Sequence, residues 1–415
     1  MEQDRPSAET PLWTRLPGMR SLASRRRAAG GPRHDLIVLD DTFPHLLSAF
    51  RICEFNEYLE AFPRSAVYST GRGFACFGDS RSFPEVLEDY ARRYPQLAGR
   101  VNSYSTGLGL NGHLATMVFL NNALKFLEPL ERNGIPFVFT LYPGGGFDLD
   151  QPRSDTRLRR ILRSRQFRKV IATQKITRDY LLERAWCDPA DIEYIYGGTF
   201  PAMSGAAARV PRRRYGHRKD TFDICFVAHK YMPGGADKGY DVFVAAAKIL
   251  ASRHPQTRFH VVGQFDRSDA DVREIEERLQ FYGPRTTDFF PDFYAGMDII
   301  LSPNAPFMRG PGVFDGFPTG CCIEAGLCGV AVFCTDSLSL NPGFEDGREI
   351  VLVSRDPAEI SAKLEDALRD PEDLYRLAER GREAFARVFD LREQMKPRMR
   401  ILSHLTARLP DHRTR

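Results

Sequence analysis

No stretch of this 415-residue sequence approaches the roughly 20 consecutive apolar residues that a membrane-crossing helix requires. A transmembrane protein is therefore not expected. Cys-x-x-Cys pairs are also missing. The eight cysteines stand at 53, 76, 187, 225, 321, 322, 328 and 334, and no His pair at zinc-finger spacing lies nearby. Cys321, Cys322, Cys328 and Cys334 sit among Ile323, Leu327, Val330, Val332 and Phe333 and read as small buried hydrophobes. Neither a metal nor a cofactor is expected. Charge of one sign is not in excess either: 58 Lys and Arg against 54 Asp and Glu leave +4, which gives no reason to expect a nucleic-acid partner. Residues Met1 to Arg33 lack an apolar run and a cleavage signature, so they read as a loose cationic tail rather than a secretory signal. With unpaired thiols, the expected compartment is the reducing cytoplasm.

What is present describes a globular chain, 42% hydrophobic and 27% charged, long enough for two cores. From residue 35 onward, short β-rich apolar runs alternate with helical patterns. Asp35–Asp40, Ser65–Thr70, Val101–Ser105, Pro136–Tyr142 and Lys169–Thr173 read as strands. Pro44–Phe62, Leu114–Arg132, Thr156–Arg165 and Ile176–Ala185 read as the helices between them. The pattern breaks at Ala202–Asp220, which is rich in small residues and Arg and reads as a linker. It restarts with strands at Phe222–Ala228, Arg258–Gly263, Met297–Pro303, Val330–Thr335 and Glu349–Val353. Asp241–Arg253, Asp356–Arg369 and Pro371–Leu409 read as helices. The expected organisation is a tail at 1–34, an amino-terminal lobe at 35–201, a linker at 202–220 and a carboxy-terminal lobe at 221–390. A final helix at 391–415 is expected to return to the first lobe. Such alternation implies an α/β protein with two doubly wound lobes facing across a cleft, and ligands at the carboxyl ends of the strands.

Two constellations carry chemistry. The first is Gly107-Leu-Gly109-Leu-Asn-Gly112, a Gly-x-Gly-x-x-Gly between a predicted strand and a predicted helix. It allows a phosphate to approach a helix amino end, although no acid follows at the dinucleotide-binding spacing. A cleft-facing loop on the acceptor side is expected there. The second follows the predicted strand ending at Pro303: a Gly/Pro loop, then Asp315-Gly316-Phe317-Pro-Thr319-Gly320-Cys-Cys-Ile-Glu324. A helix opening near Gly320 would aim free N–H groups at a pyrophosphate, with Glu324 one turn inside to accept from ribose hydroxyls. His229, Lys230 and Lys238 follow the first strand of that lobe and can offset diphosphate charge without a metal. Taken singly, Glu324 is also a favourable helix-start charge and Lys238 an ordinary loop lysine.

Together these residues resemble the carboxy-terminal lobe of glycosyltransferase family 4, whose fold is GT-B. Val227-Ala-His-Lys…Lys238-Gly is similar to that family's Gly-Arg…Lys-Gly phosphate element. Asp292-Phe-Tyr-Ala-Gly-Met-Asp298 is similar to its acidic turn, and Asp315…Glu324-Ala-Gly-Leu to its paired-glutamate motif. In the amino lobe, Gly134-Ile-Pro-Phe-Val-Phe-Thr and Val170-Ile-Ala-Thr are also similar. The resemblance implies two Rossmann-like lobes and transfer of a sugar, with retention, from a nucleoside-diphosphate sugar to a saccharide or lipid-linked acceptor. It also implies a donor site in the second lobe at His229, Lys230, Lys238, Gly316, Phe317, Thr319, Gly320 and Glu324. There are departures. Asp replaces the first Glu, eight residues rather than seven separate it from Glu324, and His229 stands where the family usually has Arg. Tyr142 stands where the family often has a His, which leaves His113 as the substitute catalytic residue beside Asp315. Gly109, Gly112 and Tyr142 are placed on the acceptor side. A GT-B-like sugar-nucleotide epimerase, a dinucleotide-dependent oxidoreductase and a binding protein with a degenerate site remain rivals. The basic stretch Leu158–Lys169 reads as a solvated helix face or as peripheral contact with the anionic inner face of a membrane.

Overall fold

The first strand, β1 (His34–Asp40), is a continuous apolar run and is buried along most of its length, as a strand covered on both faces must be. It lies third, beside the central strand β4, in a seven-stranded sheet with β2 (Ser65–Ser69), β3 (Val101–Ser103), β4 (Gly112–Val118), β5 (Phe137–Leu141), β6 (Phe167–Ala172) and β7 (Ile192–Tyr194), in the order β3-β2-β1-β4-β5-β6-β7. A second sheet holds β8 (Phe222–Val227), β9 (Thr257–Val262), β10 (Leu279–Phe281), β11 (Ile299–Ser302), β12 (Ala331–Cys334) and β13 (Val351–Leu352), in the order β10-β9-β8-β11-β12-β13. Every pairing in both sheets is parallel, with Leu36 opposite Leu114 in one and Ile299 opposite Ile224 in the other. This computed structural model describes residues 33–200 and 210–408. The predicted tail, apart from residues 33 and 34, and the first part of the predicted linker fall outside the described residues.

Strand order reverses between β1 and β4 in one lobe and between β8 and β11 in the other. Crevices form outside the carboxyl ends of strands at such switch points, and the two switch points face each other here. Contact between the lobes is extensive. The Leu149 N–H donates to the Gly312 carbonyl at 2.9 Å, and the Phe147 and Phe314 rings pack edge to face. Gly312 has φ +77°, and a Cβ there would lie 2.1 Å from the Leu149 oxygen, so this junction requires glycine. The last helix, Leu391–Arg408, crosses back to pack on helix Ala49–Ala61, burying Met395 and Leu402 beside Leu36 and Phe55.

Three sequence-based assignments are corrected. Leu114–Arg132 is not one helix: Gly112–Val118 is the strand β4, and Phe119, at φ 71°, turns the chain into helix Leu120–Arg132. The run Leu114-Ala-Thr-Met-Val is buried without a break because both faces of a central strand are covered, and its lost alternation imitates a helical stripe. The Gly107–Gly112 segment therefore enters a strand and not a helix, so the geometry of a dinucleotide fingerprint is missing. Helix Pro44–Phe62 begins only at Ala49, and Pro371–Leu409 is two helices, Pro371–Phe389 and Leu391–Arg408.

Candidate active site

Between the two sets of carboxyl ends lies a cavity of about 510 Å³ lined by both lobes. The second lobe supplies His229 and Tyr231 after β8, Gln264 after β9, Pro284 and Arg285 after β10, and Arg309, Asp315, Gly320, Cys321 and Glu324 after β11. Helix Gly320–Leu327 begins at Thr319, so its amino end faces the cavity. Gly320 is required by closeness: a Cβ would lie 2.8 Å from the Phe200 ring of the first lobe.

Charges are arranged as a short chain beside this helix. Lys238 Nζ donates to Asp315 Oδ2 at 2.6 Å, Arg309 Nη2 donates to Asp315 Oδ1 at 3.3 Å, and Arg309 Nε lies 3.5 Å from Asp237 Oδ2. The Tyr231 ring lies under both cations, 5.1 Å from Lys238 Nζ and 4.7 Å from the Arg309 guanidinium carbon. Burial pushes the Asp315 carboxyl up, but Lys238 and then Arg309 outweigh it and hold the group below its ordinary value. Asp237, 1% exposed and with no hydrogen bond to either carboxylate oxygen among the described residues, is pushed up by burial despite those same two cations.

Glu324 differs from all of these. It is 7% exposed, and burial, reinforced by Cys321, pushes its carboxyl up to about 8. A neutral buried carboxyl at the first turn of a helix facing the cavity is an acceptor and donor for hydroxyl pairs.

His229 is not a cation here. Burial lowers its ring, a hydrogen bond to the Cys76 backbone raises it, and Lys238 and Arg309 lower it further, so the imidazole is neutral near pH 7. Gln264 Nε2 lies 3.0 Å from its Nδ1. The second positive charge comes instead from Arg309, which the sequence reading missed. It sits in an irregular Gly/Pro loop with no spacing to mark it, and the only hint was an Arg between Pro306 and Pro311.

The structure brings together Asp315, His229, Gly320 and Glu324 on the cavity wall, with Lys238 behind Asp315 and bonded to it rather than lining the cavity, but not every expected residue. Lys230 Nζ is held by both oxygens of Asp269 at 2.9 Å and does not line the cavity. Gly316, Phe317 and Thr319 line a separate cavity of about 20 Å³ behind Asp315. The Phe317 peptide is clamped by the first lobe, accepting from Tyr196 and donating to Gln174 Oε1 at 3.3 Å. His113 and Gly112 open β4 and Gly109 precedes it, at the amino end of the strand. The cleft lies at the other end, about 16 Å along the chain from His113. His113 faces Asp35 at 3.7 Å, so none of the three adjoins the cleft. Tyr142 follows β5 at the correct rim, but its hydroxyl is spent on Glu54 Oε2 at 3.1 Å. Among the described residues, no three His, Cys, Asp or Glu side chains converge as a metal site.

The paired doubly wound sheets, their facing switch points and the cleft between them define the GT-B fold. Solved structures share it at 14–18% identity. Anabaena HepE in complex with UDP and glucose aligns over 89% of this chain and 100% of its own, with a TM-score of 0.64 at 18% identity. Sucrose-phosphate synthase from Thermosynechococcus elongatus aligns over 90% and 100%, with a TM-score of 0.59 at 16% identity. A putative UDP-N-acetylglucosamine 2-epimerase from Listeria monocytogenes aligns over 90% and 97%, with a TM-score of 0.54 at 14% identity. No curated protein matches the chain in sequence. Residues 221–370, which carry the charge chain and Glu324, match the family model of glycosyl transferases group 1.

Proposed function

We propose that the protein transfers a sugar from a nucleoside-diphosphate sugar to an acceptor hydroxyl, with retention of configuration and without a metal. The observation that carries this reading is the Lys238–Asp315–Arg309 chain next to the neutral Glu324 at a helix amino end. Lys238, Arg309 and the free N–H groups of that helix suit the two phosphates, and Glu324 suits a ribose diol. Asp315 holds both cations in the structure. When a diphosphate takes them over, Asp315 is released to accept from hydroxyls of the donor sugar. In the transfer, the acceptor oxygen bonds to the anomeric carbon and the carbon–oxygen bond to the diphosphate breaks. The electron pair leaves on the diphosphate, and the hydroxyl proton passes to a phosphate oxygen. The two cations stabilise the charge that develops there, which is the work a metal would otherwise do. Retention follows the resemblance to family 4, and the UDP complex of HepE favours a uridine donor.

The epimerase is the second reading, favoured by the Listeria neighbour. An oxidoreductase finds no support in a Gly-x-Gly-x-x-Gly that leads into a strand. Incubation with UDP-sugars, with and without added acceptors, separates the first two: a new glycosidic product formed only with acceptor, by mass spectrometry and proton NMR of the anomeric linkage, is expected. A changed sugar nucleotide without acceptor would mean epimerisation. Activity is expected to survive EDTA. We place the enzyme in the cytoplasm. Helix Pro152–Leu162 buries Leu158, Ile161 and Leu162 and exposes Arg153, Arg159 and Arg160. With Arg163 and Arg165, that face suits an anionic bilayer.

A further inference from the structure

The first-lobe wall of the cleft has a composition unlike the second. Around the carboxyl ends of β1 and β4 it presents Leu46, Leu47, Phe50, Phe77 and Phe119, each half-buried. The rings are held in place. Phe77 stacks on His45 at 4.6 Å and meets His229 of the other lobe edge-on at 5.5 Å, while Phe50 and Phe119 pack at 88°. Leu46 and Leu47 offer a sugar hydroxyl nothing to bond.

Two cations near this wall, Arg51 and Lys125, are held by carboxylates. Arg51 donates to Asp40 Oδ2 at 3.0 Å and lies over the Phe50 and Phe119 rings at 4.9 and 5.0 Å. Lys125 donates to Asp41 Oδ2 at 3.2 Å. The polar side chains of this wall gather at one edge of the cleft, with Asp41, Asn121 and Asn122 among them. Asn122 gives its Nδ2 to Asp40 at 3.0 Å, and its buried Oδ1 has no partner among the described residues. A polar edge beside an apolar collar describes the occupant.

Resting on the transferase reading, we infer that the acceptor is a molecule whose reacting hydroxyl lies next to an apolar aryl or alkyl group. The hydroxyl meets Asp41 and Asn122, and the apolar group lies along Leu46, Leu47, Phe50 and Phe77. Free oligosaccharides fit poorly.

Calorimetry on the full chain tests this with methyl, phenyl and n-octyl β-glucopyranoside and cellobiose, each with and without UDP, the octyl compound kept below its micelle concentration. The phenyl or the octyl compound is expected to bind at least about tenfold tighter than the methyl one, which two buried methylene groups would supply. Which of the two wins distinguishes aryl from alkyl. Leu47→Ser and Phe77→Ser should each erase that preference while UDP affinity stays unchanged, the latter also showing that the variant is folded. Equal affinity for the three glucosides, tighter binding of cellobiose, or a preference that survives in a Leu47→Ser protein still binding UDP overturns the inference. Failure of UDP to bind, whatever the glucosides do, instead removes the transferase reading.

Discussion

Replacing Glu324 with Gln removes one titratable proton and almost no volume, so its consequences can be worked out from the burial of that single group. In the unfolded chain the carboxyl titrates at 4.5, and in the folded protein burial holds it near 8. A folded value above the unfolded one means that stability is fully present below pH 4.5. It falls as pH rises, because only the unfolded chain gives up its proton, and the loss is complete once pH passes 8. At 1.36 kcal/mol per unit, about 3.5 units amount to about 5 kcal/mol. Glu324→Gln should therefore match the parent protein near pH 4.5 and exceed it by about 5 kcal/mol at pH 8.5. Urea unfolding of both proteins at pH 5, 7 and 8.5 measures the difference, and titrations elsewhere in the chain cancel. Binding adds an independent readout. A ribose diol donating to the carboxylate lowers its pKa, so UDP should release a proton at pH 7 in the parent protein and none in Glu324→Gln. Calorimetry in buffers of differing ionisation enthalpy measures that proton. Parallel stability curves for the two proteins would show that Glu324 is not a buried neutral acid. Equal proton release would remove it from the ribose contact.

Lys238→Ala and Arg309→Ala should each weaken UDP binding roughly ten- to a hundredfold and leave uridine binding unchanged, the cost of a lost charge-assisted bond being on the order of 1.5–3 kcal/mol; calorimetry with both ligands checks this. His113→Ala, at the far end of β4, should leave kcat/KM for transfer within about twofold in a steady-state assay. Arg398→Ala should cost about 3–5 kcal/mol in urea unfolding, because Arg398 is fully buried beside Glu54 and its removal leaves that carboxylate with hydroxyl donors but without its neighbouring cation. Changing Arg159, Arg160, Arg163 and Arg165 together to Gln should reduce co-sedimentation with phosphatidylserine vesicles at low salt without altering UDP affinity.

Much of the second lobe could be read along the chain. Phe222–Val227 and Ala331–Cys334 fall inside runs whose β-branched and aromatic content admits little else, and the helix carrying Glu324 begins at Gly320, where the Thr-Gly signal places it. The first lobe was harder where a central strand lost its alternation. β4 is covered on both faces, so period 2 vanishes from Leu114–Val118, and with it went the location of His113. β7 and β10 have three residues each, too short for any period. Within the site, Lys238 and Glu324 carried local signals. Arg309 carried none, because what puts it beside Asp315 is the path of a loop from Asn304 to Phe314 and its backbone contact with Leu149.

The return of helix Leu391–Arg408 to the first lobe bears on how the cleft can open. The chain passes between the lobes twice, after Phe200 and again at Asp390. The two passages are joined side by side: the Tyr196 and Phe389 rings lie 5.7 Å apart, and Gln394 Nε2 donates to the carbonyls of both Tyr196 and Val388. Together with the Leu149–Gly312 bond and the hold of Tyr196 and Gln174 on the Phe317 peptide, this stacked junction fastens the lobes at several separate places, so widening the cleft means breaking these named contacts.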